Sequence, residues 1–372
     1  MRTYVYSKDF ACLSHTLVHP GKKLNTPTLK KFKEDLCALV RSSYPAKERW
    51  VDVFDETFKF PGATRWYSFF ELCDILLIGW ELLVTFVAGD VAGEDVDDGA
   101  RLTRLKAVMA DSVQRATLLL DLHIVTSVCR PWVKACYTLE GNGACSIITW
   151  DVVQEVAGFY TLHQPNLTYP GLPQALDDYC DAVQASSFPG MSRAYALDMI
   201  KARIRRVIEP AVEYFQDMFT SVAGELSDQM SVYKTLRYVN PYSMHLNSTT
   251  LPFSTQEFIS GVSALNWFQR HEIDDMAVEM PRYLALATSV FGGEFYVSRD
   301  DEMKAVQRFW AENRIRYPAL RMLVKYALTI APSSAAAERV FSLLKSTFGL
   351  NQNLALEDYM ELSIMLNYNK RR

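Results

Sequence analysis

Between residues 68 and 309, apolar side chains return every three or four positions in one run after another, and this pattern limits the fold more than any other feature of the chain. Phe69, Leu72, Ile75 and Leu76 form one such stripe. Leu105, Val108 and Val113 form a second, Leu118, Leu122 and Val125 a third, and Ile200, Ile204, Ile208, Val212 and Phe215 the longest. Residues so spaced share one face of an α-helix, which predicts a nearly all-helical body. Breakers separate the runs: residues 93–99 read as an acidic loop, and 165–173 and 240–255 read as linkers. The acidic loop holds Glu94, Asp95, Asp97 and Asp98 but lacks the later glutamate of an EF-hand, which argues against calcium. With 372 residues, 49% apolar and 12% aromatic, the chain can build a sizeable core.

Ahead of this body, Thr26-Pro27 reads as an N-cap and first helical residue, and Leu29, Phe32, Leu36 and Val40 complete a helix over 27–42. Two short motifs flank that helix. Cys12-Leu13-Ser14-His15 precedes it; Cys12 and His15 are zinc-type ligands, yet two ligands make at most half a site, and a small buried thiol beside a locally satisfied histidine fits better. Ala63-Thr64-Arg65-Trp66-Tyr67-Ser68 follows it. There the Arg65 fork can grip a phosphate and the Trp66 indole can stack on an unpaired base, although an Arg-Trp pair also serves as a packing element at a helix start.

At the C-terminal end, Pro318 suits a first helical turn, with Leu320, Leu323, Tyr326, Ala327 and Ile330 following in phase and Pro332 stopping the helix. Ser334 is a candidate N-cap for the next helix. On it Ala337, Val340, Phe341, Leu344 and Phe348 share a face bordered by Glu338, Ser342 and Lys345. A further helix is expected from near Leu356 to Asn369, with Leu356, Tyr359, Leu362 and Leu366 in phase. Taken alone, Glu338 is an acid in a first turn, favoured there by the helix dipole.

Together the run Tyr317-Pro318-Ala319-Leu320, Ser333-Ser334 and Glu338-Arg339-Val340-Phe341-Ser342, with Trp310 before it and Asn369 after it, resembles the C-terminal dimerisation region of the hAT superfamily of DNA transposases. The CxxH and TRW motifs fall in the family's order, so the resemblance spans nearly the whole chain. It implies a mainly α fold: a helical insertion domain plus the C-terminal part of a split RNase H-like α/β core lacking its first strands. The implied division is 1–75 for the residual RNase H-like segment, 76–300 for the insertion domain and 301–372 for the dimerisation region. Glu338 then corresponds to the third acid of a DDE site, Cys12 and His15 support that site, and Arg65 and Trp66 contact DNA. Trp310, Tyr317, Leu320, Leu323, Phe341, Leu344, Leu362 and Leu366 would serve dimerisation.

The DDE reaction needs three carboxylates around two divalent metals. The resemblance places two of them upstream of CxxH, where only Asp9 is acidic and stands out of register, while Asp52, Asp55 and Glu56 read as a solvent-facing cluster. The expectation is a truncated or domesticated transposase-like protein without cutting chemistry, with no cofactor and no metal. Mg2+ or Mn2+ would enter only in a full-length active form. The alternatives are a fragment of an active transposase whose upstream exons are missing, and a helical protein-interaction adaptor.

Partners follow from the same residues. The resemblance implies a homodimer, or a heterodimer with related transposases, in the nucleus. A formal charge of −4 excludes DNA binding by bulk electrostatics, leaving local patches: Lys22, Lys23, Lys30, Lys31 and Lys33; Lys201, Arg203, Arg205 and Arg206; and Lys370-Arg371-Arg372. The strongest apolar run, 76–88, is interrupted by Glu81 and too short to span a bilayer. Seven irregularly spaced cysteines suit a reducing compartment, and no paired-cysteine finger or signal peptide is legible, so the chain reads as intracellular and without membrane partners.

Overall fold

The structure, a computed structural model, describes residues 12–17, 19–62, 67–89, 96–141, 145–244, 254–292, 296 and 298–333. In chain order the helices are α1 (Leu13–Leu17), α2 (His19–Lys23), α3 (Pro27–Ser42), α4 (Tyr44–Phe54), α5 (Tyr67–Ile78), α6 (Trp80–Ala88), α7 (Val96–Ala110) and α8 (Ser112–Glu140). There follow α9 (Thr149–His163), α10 (Leu172–Ser187), α11 (Arg193–Phe219), α12 (Ser227–Leu236), α13 (Thr255–Ala264), α14 (Arg270–Phe291), α15 (Arg299–Asn313) and α16 (Pro318–Thr329). The fold is mainly α, and no strand occurs among the described residues. No helix among them is long and apolar enough to cross a membrane.

The chain divides into two compact units. The first gathers Met1–His15, Cys136–Val152 and Asp228–Arg372; the second comprises Thr16–Ala135 and Val153–Ser227. In the second unit α3 packs on α4 and α7, and α11 packs on α2 and α10. The predicted stripes point inward: Leu29, Phe32, Leu36 and Val40 on α3 are buried, as are Ile200, Ile204, Ile208, Val212 and Phe215 on α11. Trp50 is enclosed by rings, stacked on Phe54 at 3.8 Å and meeting Phe58 and Phe86 edge-on. A buried ring of this size contributes about 2–3 kcal/mol, more than a typical helix cap, so α4 is held chiefly by its aromatic face.

In the first unit, α14 packs on α13 and α16, and α16 also meets the short 3-10 turns Cys145–Ile147 and Arg237–Val239. Its core is aromatic: Tyr283 stacks on Trp310 at 5.2 Å and meets Phe309 and Tyr317 edge-on, while Phe291 lies 5.7 Å from Phe309.

Several expectations are revised. Residues 96–99 open α7 instead of forming a loop; Asp98 is buried there, accepting from Ser42 Oγ at 2.5 Å and from Arg101 at 2.8 Å. Their partners on α3 and α7 turn acids that look solvated in sequence into a helix start. The stripe Leu105, Val108, Val113 is broken at Asp111, whose carboxylate accepts from the Val113 and Gln114 N–H groups and so starts α8. Thr26 stands before α3 but its side chain makes no cap; the buried Asp121 carboxylate instead accepts from the Leu29 N–H at 3.3 Å. Within the expected linker 240–255, Asn240 is fully buried, its side-chain N–H donating to Ser243, while residues 245–253 lie outside the described residues.

Candidate functional site

The CxxH segment is tied to the end of the described C-terminal stretch. Leu13 N–H donates to the Pro332 carbonyl at 2.9 Å, and the Ser14 and Ser333 hydroxyls meet at 2.9 Å in a buried contact. Cys136 Sγ–H donates to the Ser14 carbonyl at 3.4 Å, and Cys12 Sγ lies 3.3 Å from Ser14 Oγ. Burial pushes the Cys136 thiol far above the ordinary thiol range, with the Glu140 and Cys12 charges adding to it, so it stays a neutral donor. These residues belong to the first unit, and they hold the backbone five residues before Glu338. Glu338 itself and the His15 side chain lie outside the described residues. Among the described residues no group of three or more His, Cys, Asp or Glu side chains is placed to hold a metal ion.

The residues Ala63, Thr64, Arg65 and Trp66 also lie outside the described residues, but both flanks of the motif are placed. Gly62 N–H donates to Ser68 Oγ at 2.8 Å. On the approach side the ring of Phe60 carries the Arg41 guanidinium at 5.2 Å, and on the exit side the ring of Phe69 carries the Lys33 ammonium at 5.2 Å. Both cations stand on α3. Asp52 sits in the last turn of α4 and Asp55 and Glu56 just beyond it: Asp55 is its left-handed C-cap, and Glu56 pairs with Lys59 at 3.2 Å. They face solvent, as an acidic cluster without a buried partner should.

The basic patches are redistributed by the fold. Lys22 and Lys23 are on α2, and Lys23 Nζ lies 5.4 Å from the centre of the Tyr214 ring on α11. Lys30, Lys31 and Lys33 stay on α3. On α11, Arg203 acts on the buried Asp121 and Arg205 donates to the Pro165 carbonyl at 3.4 Å. Lys370, Arg371 and Arg372 lie outside the described residues.

Four of the residues assigned to dimerisation are enclosed by their own chain. Trp310 is buried and its Nε1–H donates to the Val239 carbonyl at 2.8 Å; Tyr317 is fully buried and its hydroxyl donates to the Arg282 carbonyl at 3.0 Å. Leu320 and Leu323 are fully buried on α16. Phe341, Leu344, Leu362 and Leu366 lie outside the described residues.

A residue missed in sequence fixes α16. Glu279, buried on α14, accepts from the Ala319 N–H at 3.1 Å and the Leu320 N–H at 2.9 Å, serving two of the orphan donors of the first turn and meeting the positive end of the helix. At the other end the Ser146 hydroxyl donates to the Ala327 carbonyl. The signal was present, because Glu279 interrupts the apolar phase of Ile273, Met276, Met280 and Tyr283 on the inward face of α14.

Residues 292–368 match the family model of the hAT family C-terminal dimerisation region. The match begins at the end of α14 and takes in α15, α16 and the Glu338 motif. No curated protein matches the chain.

Proposed function

Starting from a chain that carries the C-terminal dimerisation region of hAT-family transposases, we propose that this is a transposase-derived protein that works by self-association and touches DNA locally. The family match over 292–368 carries the reading. On it, residues 1–75 belong to a split RNase H-like core, 76–300 to a helical insertion and 301–372 to the dimerisation region. The gathering of Met1–His15 with Asp228–Arg372 in one unit supports a core whose two ends are distant in sequence, whereas residues 16–75 fall in the other unit. Cys12 and His15 brace the neighbourhood of Glu338, a role supported by the bonds from Leu13 and Ser14 to Pro332 and Ser333.

Because Trp310, Tyr317, Leu320 and Leu323 are internal, they serve pairing by fixing the platform, and the partner is met through Phe341, Leu344, Leu362 and Leu366. The partner is a second copy or a related transposase, and two-fold pairing is the commonest arrangement for such chains. DNA is contacted at Arg65 and Trp66, the compartment is the nucleus, and this polypeptide does not cut DNA by itself.

Sedimentation velocity at micromolar concentration tests the central point. The parent chain is expected to be dimeric, and Leu344→Glu with Leu366→Glu to be monomeric at unchanged helical content. A monomeric parent, or a dimer indifferent to both substitutions, would overturn the reading.

A further inference from the structure

Between α13 and α14 the chain sets two large rings side by side. Asn266 takes a left-handed backbone with φ of 55°, and its side-chain N–H donates to the Ala264 carbonyl at 3.3 Å, so this turn delivers Trp267 and Phe268 in succession before α14 begins. Tyr326 of α16, which packs on α14, completes the group. Its ring lies 5.2 Å from each of the other two, tilted at 31° to Trp267 and edge-on to Phe268, while Trp267 and Phe268 stand 6.4 Å apart. All three are half-buried. Every other group of three or more rings among the described residues includes a buried ring: Trp50, Tyr160, Tyr283 or Phe291.

Phe268 precedes the Gln269 cap of α14, the position from which an apolar residue staples a helix start. That accounts for one ring. Trp267 has no such duty: its Nε1–H has no acceptor among the described residues and, unlike those of Trp50 and Trp132, is not shut away from solvent. The buried Trp310 shows the alternative, with its Nε1–H committed to the Val239 carbonyl.

We propose that Trp267, Phe268 and Tyr326 form a docking surface for a proline-rich segment of another protein in the polyproline II conformation. Such a rod has no internal hydrogen bonds, so its carbonyls can accept from the indole N–H, and its three-sided section lays pyrrolidine rings along two edges against neighbouring aromatic faces. Its stiffness before binding keeps the entropy lost on docking small. Charge decides against an alkylated ammonium, which open aromatic groups also take. Arg321 and Lys325 are exposed on the helix that carries Tyr326, and Phe268 adjoins the positive start of α14, where Glu272 is engaged by the Gln269 N–H and Asp274 by Arg270. The same charges favour a segment flanked by Asp or Glu.

Fluorescence polarisation of labelled decaproline with the full-length protein tests the surface. Saturable binding is expected, roughly tenfold tighter than to a Gly-Ser peptide of equal length, and tighter still at low salt when Asp residues follow the prolines. Trp267→Ala should weaken binding roughly tenfold or more. Trp267→Phe, which keeps a ring and removes the N–H, should weaken it about fivefold, as loss of one net hydrogen bond requires. Trp80→Phe should leave the affinity unchanged, and circular dichroism checks that each variant keeps its helices.

A parent without saturable binding, or equal affinity of the parent and both Trp267 variants, overturns the proposal. So does a trimethyl-lysine peptide that binds through Trp267 where decaproline does not, and so does a dimer that Trp267→Ala dissociates while decaproline stays unbound.

Discussion

Asp121 is a carboxylate placed where water cannot reach it well, and it receives the Leu29 N–H at the start of α3. Burial pushes its carboxyl from 3.8 up to about 7, against the opposing pull of that N–H and of Arg203. Between these values the folded chain holds a proton that the unfolded chain has released. The contribution to stability is therefore full below about pH 4 and is lost as pH rises toward 7. Asp121→Asn keeps an acceptor for Leu29 and removes the titration. In urea denaturation it should be more stable than the parent at pH 8, by on the order of 2–4 kcal/mol, with the gap closing toward pH 4. A gap that is unchanged across pH would show that Asp121 does not titrate in this range.

Helix α16 is the element on which the aromatic core of its unit closes, and Glu279 holds its first turn. Glu279→Ala should leave the Ala319 and Leu320 N–H groups unserved and cost about 2–4 kcal/mol in chemical denaturation, whereas Glu279→Gln, retaining one good acceptor, should cost about half as much. Equal, negligible losses in both would mean that water replaces the carboxylate. Helices such as α3, α11 and α16 were legible because their apolar spacing is a property of the segment itself. What was not legible depends on partners distant in sequence: the cap of α3 comes from Asp121, the cap of α16 from Glu279, and the burial of Asp98 from Ser42 and Arg101. Trp310, Tyr317, Leu320 and Leu323 were legible as apolar, but periodicity is the same whether a face is covered by its own chain or by another. The CxxH motif was readable as residue types, while its attachment to Pro332 and Ser333 spans 319 residues between Ser14 and Ser333 and leaves no local trace.

For the whole molecule, the proposed loss of chemistry has a direct check. Purified protein with Mg2+ or Mn2+ should neither nick nor join hairpin or transposon-end DNA, and Glu338→Gln should change nothing; metal-dependent cleavage abolished by that substitution would refute the proposal. The division of the chain also has a consequence in time. One unit is complete once Ser227 has been made, but the other needs segments from both ends of the chain. At roughly 5–20 residues per second, the ribosome takes several seconds to half a minute to supply the remainder. Throughout that interval Cys12 and Ser14 have emerged without the residues that will later hold them. On stalled nascent chains ending near residue 240, Cys12 should react faster with a thiol reagent than after release of the full chain, where it is half-buried. The Cys12 thiol is thus more open during synthesis than after the fold has closed.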